Sequence, residues 1–227
     1  HLSIFKSVSK LEPGHYLKVS RNGVVKKQYW NVNYETINGR REDEWLEELE
    51  PLLISAFRYR MVSDVPVGVF LSGGIDSSLL TAILQKHHGS IHSFTIGFEE
   101  NEFDESLYAQ QVAEYLKTTH TQKILKLDEA RKVLHDFYAV YDEPFADTSG
   151  IPTACVANLA KINGVKVVLS ADGGDELFGG YTHYSQALNF FNKIIRLPKD
   201  LRKALSRTTR ALFPTGLRKK VRVLNSE

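Results

Sequence analysis

The sequence predicts an α/β fold, a parallel sheet with helices on both faces, preceded by a short β-hairpin. Three observations predict it. From Val65 onward, short apolar runs rich in β-formers alternate with runs of helical spacing, and such alternation demands right-handed crossovers and a sheet covered on both sides. Ahead of them, Arg21-Asn22-Gly23 separates two strand-like runs, which is a hairpin signal. Finally, 227 residues that are 42% hydrophobic and 11% aromatic supply enough apolar material for a packed core.

The elements follow in order. The hairpin strands fall at His15-Tyr16-Leu17-Lys18-Val19 and from Val24 to Trp30. After a polar stretch from Asn31 to Glu44, Trp45, Leu46, Leu49, Leu52, Leu53, Ala56 and Phe57 recur at helical spacing up to about Met61, so a helix opens the main domain. Strands are expected at Val67 to Leu71, Ile91 to Phe98, Thr121 to Leu127 and Val165 to Ser170. Helices are expected at Asp76 to His88, Asp104 to Lys117, Asp128 to Val140 and Ile151 to Asn163, the last with Pro152 in its first turn and Asp147 or Ser149 as its cap. No internal repeat or low-complexity segment interrupts them. Ligands of such sheets bind beyond the carboxyl ends of the strands, so chemistry belongs in the loops after Leu71, Phe98 and Leu169.

Composition narrows the function classes. A formal charge of +2 is too small to argue for nucleic acid, although between Asn192 and Arg222 eleven Lys or Arg stand against Asp200 alone. That stretch reads either as a solvated helix face or as a surface for an anionic ligand. The single cysteine, Cys155, excludes an intramolecular disulfide and a cysteine-rich zinc site, and on its apolar helix it reads as a small packing residue. His87, His88, His92, His120 and His135 show no metal-ligand spacing. No apolar run approaches the roughly 18 residues that would span a bilayer. A reduced, cytoplasmic setting without membrane or nucleic-acid partner is therefore expected. The opening His1 and the lack of a signal sequence lead us to expect a piece of a longer protein.

Two loops carry the chemistry. The first, Ser72-Gly73-Gly74-Ile75-Asp76-Ser77-Ser78, joins the strand ending at Leu71 to the next helix. Two glycines let the backbone approach a ligand closely, so that N–H groups converge on an anion at a helix N-terminus. No Walker lysine is present. Asp76 is out of place in a loop that only binds anions, but it has a purpose if it holds Mg²⁺ beside phosphate oxygens. The plainer reading is a Gly-Gly turn with an Asp-Ser helix cap. The second loop, Ser170-Ala171-Asp172-Gly173-Gly174-Asp175-Glu176-Leu177-Phe178-Gly179-Gly180-Tyr181, gathers three acids that repel one another unless a cation or a reacting group occupies them.

The first loop resembles the pyrophosphate loop of the ATP pyrophosphatases, which cleave ATP between the α and β phosphates. The second is similar to the Leu-Ser-Gly-(Asp/Glu)-Gly-x-Asp-Glu-x-Phe-x-Gly-Tyr sequence of the asparagine synthetases. Asp64 to Leu71, Ser93 to Phe98 and Asp142-Glu143-Pro144-Phe145-Ala146-Asp147 resemble the same family, so the likeness spans most of the chain. It implies an adenine nucleotide alpha hydrolase-like, Rossmann-like fold, with ATP and Mg²⁺ as cofactors. By this resemblance Phe70, Ile96, Ser170 and Ala171 face the nucleotide, and Ser72, Gly73, Gly74, Asp76 and Ser77 hold pyrophosphate. Asp76 and Asp175 share Mg²⁺, and Asp172 acts on the activated intermediate or on ammonia. On the residues alone, Phe70 and Ile96 are equally good core residues.

The resemblance further implies that residues 1–35 are the end of a glutaminase domain and its linker, carried by Leu11-Glu12-Pro13-Gly14-His15 and Tyr29-Trp30, and that 36–227 are a synthetase domain truncated at its C-terminal end. The expected reaction adenylates the aspartate side chain and passes it to ammonia from a glutaminase domain absent here, within a homodimer of the full-length protein. A lysine that steadies adenylation in this family lies beyond Glu227, so the chain alone is expected to be inactive. Three other readings compete: amidation of a sugar acid or β-lactam precursor, an RNA-modifying thiolase, and a non-catalytic nucleotide-binding module. The thiolase lacks a cysteine relay, and the module is suggested only by Ala171, which stands where the family has glycine.

Overall fold

The computed structural model describes residues 2–33, 39–99, 104–198 and 201–202. Part of the polar stretch after Asn31 and most of the basic stretch up to Arg222 lie outside these residues. By internal contacts the chain divides into two units, His1–Ala171 and Asp172–Glu227.

The first unit opens with the hairpin, β1 His15–Ser20 and β2 Gly23–Gln28, paired antiparallel with Ser20 opposite Gly23. Arg21 and Asn22 form the turn, and Gly23 takes the positive φ, 122°, that closes it. Helix α1 spans Glu42–Arg60. It starts ahead of its apolar stripe because Glu42, Asp43 and Glu44 suit a helix N-terminus, and Glu44 accepts the Arg41 amide at 3.3 Å.

The sheet and its crossovers then follow as β3 Val67–Phe70, α2 Ile75–His88, β4 His92–Phe98, α3 Ser106–Leu116, β5 Thr119–Leu125, α4 Leu127–His135, α5 Gly150–Ile162 and β6 Val167–Leu169. All three strand pairings are parallel, in the order β5-β4-β3-β6. The parallel sheet with helices on both faces is thus present as expected. Val69 and Leu71, two residues apart, point to the side packed by α1, α2 and α3, with Leu80, Leu84, Ala109 and Ala113. Phe94, with half-buried Phe70 and Ile96, points to the other side, against Val156, Leu159 and Ala160 of α5.

Several boundaries differ from expectation by one or more residues, and those of β5, α4 and β6 have a visible cause or consequence. Strand β5 begins at Thr119 rather than Thr121, because its polar residues are satisfied across the sheet: Ser93 Oγ lies 2.9 Å from both Thr118 Oγ1 and His120 Nδ1. Helix α4 stops at His135, where a single 3₁₀ turn, Phe137–Ala139, turns Phe137 onto Tyr141 and Phe145. Strand β6 is trimmed to three residues. The second unit holds a short helix, α6 Gly174–Phe178, and α7 Thr182–Ile195.

Candidate functional site

The chain runs from β3 through β4 to β5 on one side, then returns to place β6 on the other side of β3. That reversal is a topological switch point, and the crevice it leaves lies beyond the carboxyl ends of β3 and β6. The loop starting at Ser72 follows β3, and Ser170 and Ala171 follow β6, with Val69 paired to Leu169 just before them.

The first loop is internally braced. Ser77 Oγ accepts the Ser72 amide at 3.2 Å, lies 2.9 Å from Ser72 Oγ and donates to the Gly74 carbonyl at 3.2 Å, while Ser72 Oγ accepts the Gly74 amide at 3.3 Å. Ser77 is buried, so its hydroxyl serves as the keystone of the turn. Gly74 caps α2, whose first-turn amides have no carbonyl of their own helix to bond and form the positive end of its dipole. Those amides and the exposed Ser72 hydroxyl suit an anion. Asp76, in the first turn and partly exposed, has no hydrogen-bond or ion-pair partner among the described residues, so its carboxylate is available to a hard cation.

Gly73 is required twice over. Its φ is +85°, and a Cβ there would sit 2.7 Å from the Ala109 amide nitrogen and 2.8 Å from Tyr108 Cβ. The loop therefore rests directly on the first turns of α3. Sequence reasoning missed Tyr108, Ala109 and Thr95, whose hydroxyl donates to the Leu71 carbonyl at the loop's entry. No local signal could have found them, since all three act through tertiary contact.

Ala171 does not have the left-handed backbone that a glycine would suit. Among the described non-glycine residues only Ser7 and Lys117 have positive φ. Its methyl instead packs against the cluster of Met61, Val69, Leu80, Leu84 and Ile91. Alanine in place of the family's glycine therefore carries no left-handed strain here. Phe70 and Ile96, the other positions matched to the nucleotide, pack their side chains against α5 and remain half-buried.

In the second unit, Gly173 at φ 95° turns the chain into α6 and Gly179 at φ 70° ends it. A Cβ on Gly180 would collide with the Asp175 carboxylate, so Gly180 makes the room in which that partly exposed side chain lies. The Tyr181 hydroxyl donates to Glu176 Oε1 at 2.9 Å, and that bond pushes the phenol pKa up to about 12. Asp172 is exposed in the turn before α6. Asp172, Asp175 and Glu176 thus share one short turn-helix segment. Among the described residues no three His, Cys, Asp or Glu side chains gather as a preformed metal cage. Burial pushes the half-buried Cys155 thiol pKa up, which suits packing and not nucleophilic work. No described helix is long and apolar enough to cross a membrane.

Comparison with known proteins adds three relatives and a family. The asparagine synthase family model matches residues 48–226. The chain is 40% identical over 207 residues to a putative glutamine-hydrolysing asparagine synthetase 2 of Methanocaldococcus jannaschii, covering 88% of this chain and 39% of that protein. It is 36% identical over 214 residues to the glutamine-hydrolysing asparagine synthetase 1 of Bacillus subtilis, covering 94% and 33% respectively. With a putative enzyme of the same description from Mycobacterium bovis the identity is 34% over 222 residues, covering 96% and 34%. The chain thus spans about a third to two fifths of the length of these relatives.

Proposed function

Because the chain belongs to the asparagine synthase family, we propose that it is the synthetase portion of a glutamine-dependent asparagine synthase, which adenylates the aspartate side-chain carboxylate with ATP and then amidates it. The observation that carries this reading is the braced Ser72 to Ser77 loop at the switch point, within the stretch matched to the family. A carboxylate is a poor electrophile. Attack of the aspartate β-carboxylate on the α-phosphorus breaks the bond to the bridging oxygen, expels pyrophosphate and leaves a mixed anhydride, which ammonia opens to asparagine and AMP.

The first-turn amides of α2 and the Ser72 hydroxyl receive the departing pyrophosphate and stabilise its charge without reorganising, while Ser77, its hydroxyl donated to the Gly74 carbonyl, holds the turn that presents them. The adenosine end lies against the backbone at Phe70, Ile96, Ser170 and Ala171. Asp76 and Asp175 would hold Mg²⁺, which when bound neutralises charge on the phosphates. Asp172 orients ammonia, or removes its proton, as the anhydride opens. The ammonia comes from a glutaminase domain joined through residues 1–35, with 36–227 forming the synthetase side. A cytoplasmic homodimer without nucleic-acid partners completes the reading.

The test is pyrophosphate release by the full-length protein with ATP, Mg²⁺ and glutamine or ammonium. Release that depends on aspartate supports the proposal. Release driven by another carboxylate and not by aspartate overturns the substrate while leaving adenylation intact, and no release with any carboxylate overturns both.

A further inference from the structure

We propose that Glu143 is a positioning residue that pins the segment ahead of the hairpin onto the connection between α4 and α5, and thereby couples the glutamine-consuming side of the protein to the synthetase side. The coupling rests on the function proposed above; the pin itself does not. Glu143 belongs to the Asp142-Glu143-Pro144-Phe145 motif, for which the reaction leaves no role. Its Oε2 accepts the Ile4 amide at 3.2 Å and its Oε1 pairs with the Lys10 ammonium, partners 139 and 133 residues away in the chain. Its side chain retains 23% exposure against 58% for Lys10. The two bonds hold its carboxyl below the usual carboxylate range.

Both sides of the pin are tied internally by hydrogen bonds or ring packing. On one, the Ser3 hydroxyl donates to the Val8 carbonyl at 2.8 Å and Leu2 bridges Ser9, closing the segment into a loop that Glu143 grips at Ile4 and at Lys10. On the other, Tyr141 and Phe145 flank Glu143 and stack with ring centres 4.1 Å apart and planes 3° from parallel. Gly150, the first residue of α5, is buried beneath them: a Cβ there would lie 2.7 Å from Phe137 Cζ and 3.0 Å from Phe145. A shift of Glu143 is thus felt at the start of α5, the helix that packs on Phe70 and Ile96. One ionised carboxylate thus holds the segment at two points, an amide and an ammonium, and the charge strengthens both bonds relative to neutral ones.

The substitution Glu143→Gln, in the full-length protein, keeps the shape and removes the charge. Hydrogen exchange of the peptide covering residues 2–10 should quicken about five- to tenfold. The ratio of glutamine-driven to ammonium-driven pyrophosphate release should fall about fivefold, with the ammonium-driven rate within about twofold of the unsubstituted protein. The exchanged pair Lys10→Glu with Glu143→Lys restores the ion pair but leaves the Ile4 amide without its acceptor, so it should recover only part of that ratio. Unchanged exchange would overturn the pin. An equal fall in both rates, or no recovery in the exchanged pair, would overturn the coupling. If the unsubstituted protein releases no pyrophosphate with either nitrogen source, the proposed function fails, and the exchange measurement still decides the pin.

Discussion

Replacing Gly73 with alanine tests whether the loop after β3 is held by its seat on α3. A left-handed φ of +85° costs an alanine about 1 kcal/mol relative to glycine. The added methyl would also stand 2.7, 2.8 and 2.9 Å from the Ala109 nitrogen, Tyr108 Cβ and Tyr108 carbonyl carbon, all fixed by helix α3 and none the free end of a side chain. Moving the loop or the helix to relieve such overpacking costs about 1–3 kcal/mol more. The sum, about 2–4 kcal/mol, should lower the melting temperature by roughly 5–15 °C in a domain of this size. The control is Gly74→Ala, where φ is −68° and the nearest atom to the new methyl is Ser72 Oγ at 3.4 Å. Thermal and urea unfolding of both variants, followed by titration with ATP and Mg²⁺, separates the two effects. Gly74→Ala should fold normally and lose nucleotide affinity only if phosphate approaches that backbone. Gly73→Ala unfolding within about 0.5 kcal/mol of the unsubstituted chain would refute the reasoning.

Asp76→Asn removes charge at constant volume from a carboxylate without partners among the described residues, so stability should hold within about 0.5 kcal/mol while Mg²⁺ dependence of ATP binding is lost; calorimetry showing the same Mg²⁺ dependence would remove Asp76 from the metal site. Ala171→Gly should destabilise by about 0.5–1.5 kcal/mol, through the lost methyl contact with the Met61 and Val69 cluster and a looser unfolded chain, and should not tighten nucleotide binding; a raised melting temperature would show that the methyl is not packed as described. Burial pushes the His120 imidazole pKa below its ordinary value, so below about pH 6.5 the unfolded chain binds more protons than the folded one. Its contribution is therefore complete above that pH and is lost as pH falls toward the folded value. His120→Gln should flatten the drop in urea-unfolding free energy between pH 7.5 and 5.5, with His92, also lowered by burial, leaving a residual slope; an unaltered slope would show that His120 is not the group responsible.

How far the sequence could be read depended on where each contact came from. The hairpin turn, α1, β3 with its loop, α2, β4 and α5 were legible because apolar spacing and glycine chemistry are local. The start of strand β5 was misplaced by two residues because Thr119 and His120 carry no apolar strand pattern until Ser93 is put beside His120. Helix α4 was drawn too long because the pull of Tyr141 and Phe145 on Phe137 leaves no periodic trace. At the site, the serines and glycines of the first loop were found by type and order. The shelf formed by Tyr108 and Ala109 was not, nor was the negative φ that makes Ala171 harmless. The three acids of the second loop were legible as a cluster, yet nothing local announced that the Asp175 carboxylate lies against Gly180.

The hairpin has a practical consequence at the bench. Both its strands are exposed almost throughout, with Leu17 at 49%, Val19 at 70%, Val24 at 63% and Val25 at 59%. A two-stranded ribbon whose outer edges pair with no other strand among the described residues, and whose tips are β-branched, is what other chains add to when protein is concentrated. A preparation of this chain should accordingly show light scattering that rises with concentration before any loss of helical circular dichroism. Placing a lysine at Val24, next to the turn, would blunt that edge without touching the sheet that carries the loops, and would give a soluble reagent for crystallisation.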